Sequence, residues 1–201
     1  SELKTIGFLG VKNPPADLAQ RLLDVSEHVL HTDPPPRLED VAQLVGASRA
    51  TLYYYFSGRE DLLTFLLTAH ARRGAEAVQA VTMPGDPPEP RLRAMVSALA
   101  EYLGQHPGTC AGLLGALGAS GRMSEVLAAN DTWIAGPLRD LLAEGRKTGA
   151  FAVEDITDAA NTVLGGLLLA VLGRSMAGAD ATDAAFRHQL TEQTIRGILT
   201  R

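Results

Sequence analysis

The stretch LEDVAQLVGASRATLYYYFSGREDLL, Leu38 to Leu63, decides how the rest of the chain is read. Leu38, Val41, Ala42 and Val45 recur at the spacing of a short helix, and Gly46-Ala47 breaks it. Ser48 suits the cap of a following helix that runs to about Tyr54. Ala42, Gly46 and Leu52 stand four and then six residues apart. Two helices that cross closely need a small residue at the contact, a turn residue that tolerates positive φ, and an apolar side chain returned to the shared core. These three residues supply those needs in order, which is the pattern of a helix-turn-helix.

The same stretch sets three tyrosines and a phenylalanine in a row, in a chain that is only 5% aromatic. With Leu52 and Phe56 turned inward, helical spacing puts Arg49, Ala50, Tyr53 and Tyr54 on the outer face. From Ser48 to Arg59 there are two arginines and no acid. The aromatic run is therefore divided. Phe56 belongs to the core, while Tyr53 and Tyr54 are offered outward, where the ring packs and the hydroxyl reaches a phosphate. The plainer competitor is simple core packing of a helical domain.

Around this stretch almost every periodic segment has a helical period. Asn13-Pro14-Pro15 is a start signal, and Leu18, Leu22, Val25 and Val29 follow on one face of a first helix. DPPPR, Asp33 to Arg37, ends it. A long fourth helix is expected from about Arg59 to Val81, and TMPGDPPEP, Thr82 to Pro90, as a loop. Further helices are expected from about Arg91 to Gln105, Gly108 to Leu117, Met123 to Gly149, Asp155 to Met176 and Thr182 to Leu199. No alternating strand pattern and no internal repeat are found, so the fold class is all-α.

Bulk composition narrows the partners. A chain of 201 residues has room for one or two domains, and 46% hydrophobic with 20% charged residues is ordinary for a folded soluble protein. The net charge of -5 means that DNA binding needs a local basic face on an acidic molecule. The single cysteine, Cys110, excludes an internal disulfide framework and fits a reducing cytosol, so a cytoplasmic location is expected. The opening apolar stretch, Ile6 to Val11, lacks the marks of a secretion signal. The run VLGGLLLAVLG, Val163 to Gly173, falls short of the ~20 residues that span a bilayer. A buried helix and no membrane partner are expected.

LLDVSEHVL, LEDVAQLVGASRATLYYYFSGREDLL and the long helical remainder resemble the TetR family of transcriptional regulators, with the specific part between Leu22 and about Leu63. The resemblance implies an N-terminal arm over residues 1–14, a three-helix helix-turn-helix domain over 15–62, and a helical ligand-binding and dimerisation domain over 63–201. It implies a homodimer on an inverted-repeat, double-stranded DNA operator, and no enzyme activity or cofactor. Ser48, Thr51, Tyr53 and Tyr54 match family positions at or near DNA, and Arg49 and Ala50 share their face. Arg59 stands where the family has a phosphate-binding lysine, and arginine keeps that charge. Arg37 stands where the family opens its second helix with Thr or Ser, Pro34 where it has glycine, and Tyr55 where a histidine is common. Arg37 is counted among the candidate DNA contacts.

Other residues invite sharper chemistry beside bland readings. Cys110 lies four residues after His106, a spacing that a nucleophilic pair could use, but Pro107 and Gly108 intervene and buried cysteine is the common case. Asp24, His28 and His31 could face a metal, though a solvated helix face is preferred for want of a fourth ligand. Asn161 in the apolar eighth helix either binds a ligand or pairs across a helix interface. Tyr102 and Trp133 either line a pocket or fill the core.

The resemblance also places the helices of Met95, Leu99, Tyr102, Cys110, Leu114, Trp133, Asn161 and Leu168 around a pocket. Few charges accompany them, so the expected effector is small and hydrophobic, oriented by polar groups such as Tyr102 and Asn161. The apolar stretch Val163 to Leu172 and the tail residues Phe186, Leu190, Ile195 and Ile198 are expected to pack against their copies in the dimer. The reading is a ligand-responsive regulator, a repressor rather than an activator, released from DNA when ligand shifts the fourth helix. Its rivals are a helical small-molecule carrier or enzyme with a relic helix-turn-helix, and a structural dimer module without ligand.

Overall fold

A computed structural model describes residues 12–32, 36–117 and 123–199 of the chain. Most of the N-terminal arm, including Ile6 to Val11, lies outside the described residues, as does Pro34. The fold is all-α. In chain order the helices are α1 (Ala16–Asp24), α2 (Ser26–His31), α3 (Leu38–Leu44), α4 (Arg49–Tyr55), α5 (Arg59–Val81), α6 (Pro88–Gln105) and α7 (Pro107–Leu117). Then follow α8 (Met123–Asn130), a π-helical turn (Asp131–Ala135), α9 (Gly136–Lys147), α10 (Ile156–Met176) and α11 (Ala184–Arg196). Among the described residues the nearest thing to a strand is one isolated bridge between Phe151 and Leu199.

Two apolar cores form. The first gathers Leu18, Leu22, Val29, Leu38, Val41, Ala42, Val45, Leu52 and Phe56 with Leu62 and Leu66 from the start of α5. The second takes Ala75 from the end of α5, with Val96, Leu138, Leu142, Val163 and Leu167 among others. Helix α5 thus begins in one core and ends in the other. Its N-terminus is tied by Asp61, whose carboxylate accepts from the Ser57 amide at 2.8 Å and from the Ser57 hydroxyl.

The structure departs from the sequence expectations in five places, each for a local reason. The first helix is not continuous. Ser26 donates its hydroxyl to the Leu23 carbonyl at 2.6 Å, the chain bends at Val25, and the inward position passes from Val25 to Ser26, which is 1% exposed. Helix α6 starts inside the expected loop, at Pro88, because proline is tolerated in a first helical turn. The seventh expected helix is one helical path with a π turn in it. Pro137 has no N–H for the regular ladder, and the Gly136 amide reaches back to the Asp131 carbonyl instead.

Helix α10 keeps its expected bounds, but it is buried along one face and open along the other rather than buried all round. At 21 residues it has the length and composition of a membrane-crossing helix, yet Val163, Leu167 and Val171 are buried against the rest of the protein. The tail residues turn inward rather than out. Leu190, Ile195 and Ile198 are buried within the chain and Phe186 packs on the second core, because α11 lies along α6.

Candidate nucleic-acid interface and ligand cavity

The helix-turn-helix closes as the local chemistry requires. Gly46 has φ +62°, the left-handed region open to glycine. Arg21 reaches from α1 to the Val45 carbonyl and holds the end of α3. Arg37 opens α3 without a side-chain cap, and Asp40 compensates by accepting from the Arg37 amide at 3.0 Å. Ser48 caps α4, its oxygen accepting from the Thr51 amide at 3.0 Å and lying 2.8 Å from the Thr51 hydroxyl.

Leu52 and Phe56 are fully buried, and Arg49, Ala50, Tyr53 and Tyr54 are exposed on the opposite face. Arg37 and Arg59 are also exposed, Arg59 at the first turn of α5. The structure therefore brings Ser48, Arg49, Ala50, Tyr53 and Tyr54 to one outer surface, with Thr51 half-buried beside them.

Two neighbours of this face are invisible in the local sequence. Glu39 on α3 pairs with the Arg49 guanidinium at 3.1 Å and accepts from the Tyr53 hydroxyl at 2.9 Å. The acid missing from Ser48 to Arg59 is thus supplied from the preceding helix. Its own backbone amide and the Tyr53 hydroxyl hold its carboxyl below the usual range. Lys12 places its ammonium 3.7 Å from the centre of the Tyr54 ring, adding a cation at the edge of the same face. In sequence, Lys12 sits in a segment without periodicity, and Glu39 reads as an ordinary surface acid of a helix.

Behind this unit a cavity of about 260 Å³ opens among α5, α6, α7, α8, the π turn and α10. Leu99, Tyr102, Asn161 and Leu168 line it. Met95 and Cys110 lie in the second core, Trp133 packs against that core, and Leu114 is half-buried on α7, so these four stand outside the walls. Sequence reasoning missed His70, Gly74, Thr109, Asn130 and Ile134, which do line it. A Cβ at Gly74 would stand in ordinary contact with Tyr102, Ile134 and Leu99, 3.6–3.8 Å away, so the glycine leaves that volume to the cavity. His70 reads in the sequence as one polar residue in a long helix, with nothing local to mark it as buried.

His70 is 1% exposed and fully partnered, with Tyr102 Oη 2.7 Å from Nδ1 and Ser26 Oγ 2.9 Å from Nε2. Burial, with His106 and Arg73 nearby, lowers its pKa to about 4. An unfolded chain protonates the same imidazole near 6.5, so it binds more protons than the fold between those values. The stability that a neutral His70 permits is complete above about pH 6.5 and is lost as pH falls toward 4. Between pH 7 and pH 5 the loss from this group is expected to be about 2 kcal/mol. Urea melts at the two pH values, compared with those of His70→Gln, check it. A wild-type dependence no steeper than the variant's would contradict the assignment.

The cavity and the helix-turn-helix meet along α2 and α7. Glu27 accepts from the Gly108 amide at 2.7 Å, and a side chain at Gly108 would strike it. Gly112 lets α7 close on Leu30 of α2 and Leu67 of α5. Burial pushes the Glu27 carboxyl up against these bonds.

Cys110 is fully buried, and burial raises its thiol to about 12, so it stays protonated at neutral pH and is no nucleophile. His106 bonds instead to the Tyr102 carbonyl at 2.8 Å. Asp24 is bonded by Gln20 at 2.6 Å, and among the described residues no group of three His, Cys, Asp or Glu side chains is placed to hold a metal.

Residues 22–64 match the family model of bacterial regulatory proteins, tetR family. No curated protein matches the chain. Solved structures match it over nearly its whole length. A regulatory protein in the tetR family from Rhodococcus RHA1 has a TM-score of 0.75 at 16% identity, covering 92% of this chain and 98% of the other. The fatty acid degradation regulator FadR of Bacillus halodurans has a TM-score of 0.72 at 20% identity, covering 91% and 96%. FadR of Bacillus subtilis, solved in complex with stearoyl-CoA, has a TM-score of 0.72 at 17% identity, covering 89% and 98%.

Proposed function

From a chain whose residues 22–64 match the tetR family of bacterial regulatory proteins, on a fold shared with tetR-family regulators, we propose a ligand-responsive transcriptional repressor. It binds an inverted-repeat operator as a homodimer and leaves it when a small hydrophobic effector fills the cavity. The observation that carries this reading is the double membership of α5. One end holds the recognition helix through Leu62 and Leu66, and the other walls the cavity through His70, Ala71 and Gly74. An occupant that displaces α5 moves α4 with it, and the spacing of two recognition helices in a dimer then no longer fits the half-sites. The FadR of Bacillus subtilis was solved with stearoyl-CoA, and the acyl chain of that ligand, though not its anionic CoA head, is the kind of group an apolar cavity takes.

The dimer surface is the open face of α10. Thr162, Gly166, Leu169, Gly173 and Met176 recur every three or four residues and are all exposed, Leu169 at 61% and Met176 at 75%. The glycines allow a second helix to approach closely along this stripe. The apolar side chains of α11 are spent inside the chain, so α10 supplies most of the apolar contact.

Selection of bound fragments from genomic DNA, followed by release with hydrophobic compounds, tests the reading. A protein that enriches no fragment is not a regulator of this kind. Half-sites are expected ~34–36 Å apart or a multiple of that. Within that experiment, Arg49→Ala is expected to weaken the selected site by about 1–3 kcal/mol if the guanidinium pairs with a base edge. Arg59→Ala should weaken all sequences alike and lower the salt slope by about one unit. Titrations at two salt concentrations separate the two effects. No change in either variant would remove α4 and the start of α5 from the interface.

A further inference from the structure

The polar end of the cavity is a chain of hydrogen bonds whose direction can be worked out. Ser26 gives its proton to the Leu23 carbonyl at 2.6 Å, so its oxygen is left to accept. That oxygen lies 2.9 Å from His70 Nε2, which therefore carries the imidazole proton. Nδ1 of the neutral ring is then bare and accepts from the Tyr102 hydroxyl at 2.7 Å. Burial keeps His70 neutral at ordinary pH. Tyr102 has one proton and has given it away, so toward the cavity its oxygen is an acceptor.

Of the other polar wall residues, Thr109 keeps its hydroxyl oxygen buried out of reach of an occupant. The Thr109 hydroxyl is buried without a partner, and Thr109 is 3% exposed. The described wall residues include no Lys, Arg, Asp or Glu.

We propose that the cavity selects an uncharged, apolar molecule bearing a hydroxyl group, which donates to Tyr102 Oη. This deepens the reading of the cavity as the effector site and rests on it. A ketone of the same shape has no proton to offer Tyr102. To accept one from Tyr102 it must break the Tyr102–His70 bond and leave a buried ring nitrogen unpaired. A carboxylate would bring a charge to walls whose described residues hold no cation. The chain of bonds ends at the Leu23 carbonyl, in the bend between α1 and α2, so a group on Tyr102 is joined by three bonds to the helix-turn-helix domain.

Titration calorimetry on the full chain without DNA tests this with cyclododecanol, cyclododecanone and dodecanoate. Cyclododecanol is expected to bind about tenfold more tightly than the ketone, and more tightly still than dodecanoate. Tyr102→Phe bares His70 Nδ1 as a substitute acceptor, so the double variant Tyr102→Phe with His70→Phe, which has neither group, should bring alcohol and ketone within about twofold of each other. His70→Phe frees the Tyr102 proton and should reverse the order in favour of the ketone. A ketone that binds as well as the alcohol overturns the proposal, as does a preference that survives the double variant, a dodecanoate that binds best, or failure of all three to bind. The titration contains no DNA. A protein that prefers the alcohol yet enriches no genomic fragment would uphold this inference and overturn the regulator reading.

Discussion

Phe56→Ala is expected to cost about 3–5 kcal/mol of stability and, with it, specific DNA binding. Phe56 is fully buried at the end of α4, its ring 5.6 Å from that of Phe65 on α5, in a core it shares with Leu18, Leu22, Leu38 and Leu52. Truncation removes a large apolar contact where small helices on every side have little room to collapse. The damage should be confined. Trp133 belongs to the periphery of the second core, so its fluorescence should still report a folded cavity domain at denaturant concentrations where DNA binding is gone. Denaturant melts followed by Trp133 emission and by DNA anisotropy check both parts. A loss below about 1 kcal/mol would mean that Phe56 is not the keystone of the first core.

Gly145→Ala is expected to cost about 3 kcal/mol or more, the upper end for overpacking. A methyl group there would overlap the ring of Phe151 at Cδ2 and Cε2. The ring cannot step aside cheaply. Phe151 is buried, its amide and that of Ala150 both donate to the Gly145 carbonyl, and the Ala152 amide donates to the Ile198 carbonyl at 2.8 Å. The chain after α9 is thereby fastened to the end of α11 around this one glycine. The double variant Gly145→Ala with Phe151→Leu should recover part of the loss, because the two positions share one volume. Thermal melts of the two single variants and the double give the coupling. Additive losses would show that the clash is relieved elsewhere.

Helix α4 is legible in the sequence because its logic is local. Ala42, Gly46 and Leu52 are close along the chain, and the outward set Arg49, Ala50, Tyr53 and Tyr54 follows from helical period once Leu52 and Phe56 are taken as inward. The cavity is half legible. Leu99, Tyr102, Asn161 and Leu168 line it, whereas Met95 and Cys110 sit on cavity-forming helices but turn into the core. An apolar helix with little amphipathic contrast gives no signal for which face is hollow, and α7 and α10 are helices of that kind.

Local spacing and composition by themselves determined the all-α class, the helix-turn-helix and its exposed face, since each depends on residues within a turn or two of one another. Tertiary structure alone decided the pairing of Glu39 with Arg49 and the path from Ser26 through His70 to Tyr102. Those last contacts join residues 44 and 32 positions apart. Nothing in the period of α5 says that its one buried histidine will meet a serine freed by a bend in the first helix. Three helices must first pack and exclude water from the polar groups between them. Only then does burial make each hydrogen bond obligatory and give the chain of bonds its direction.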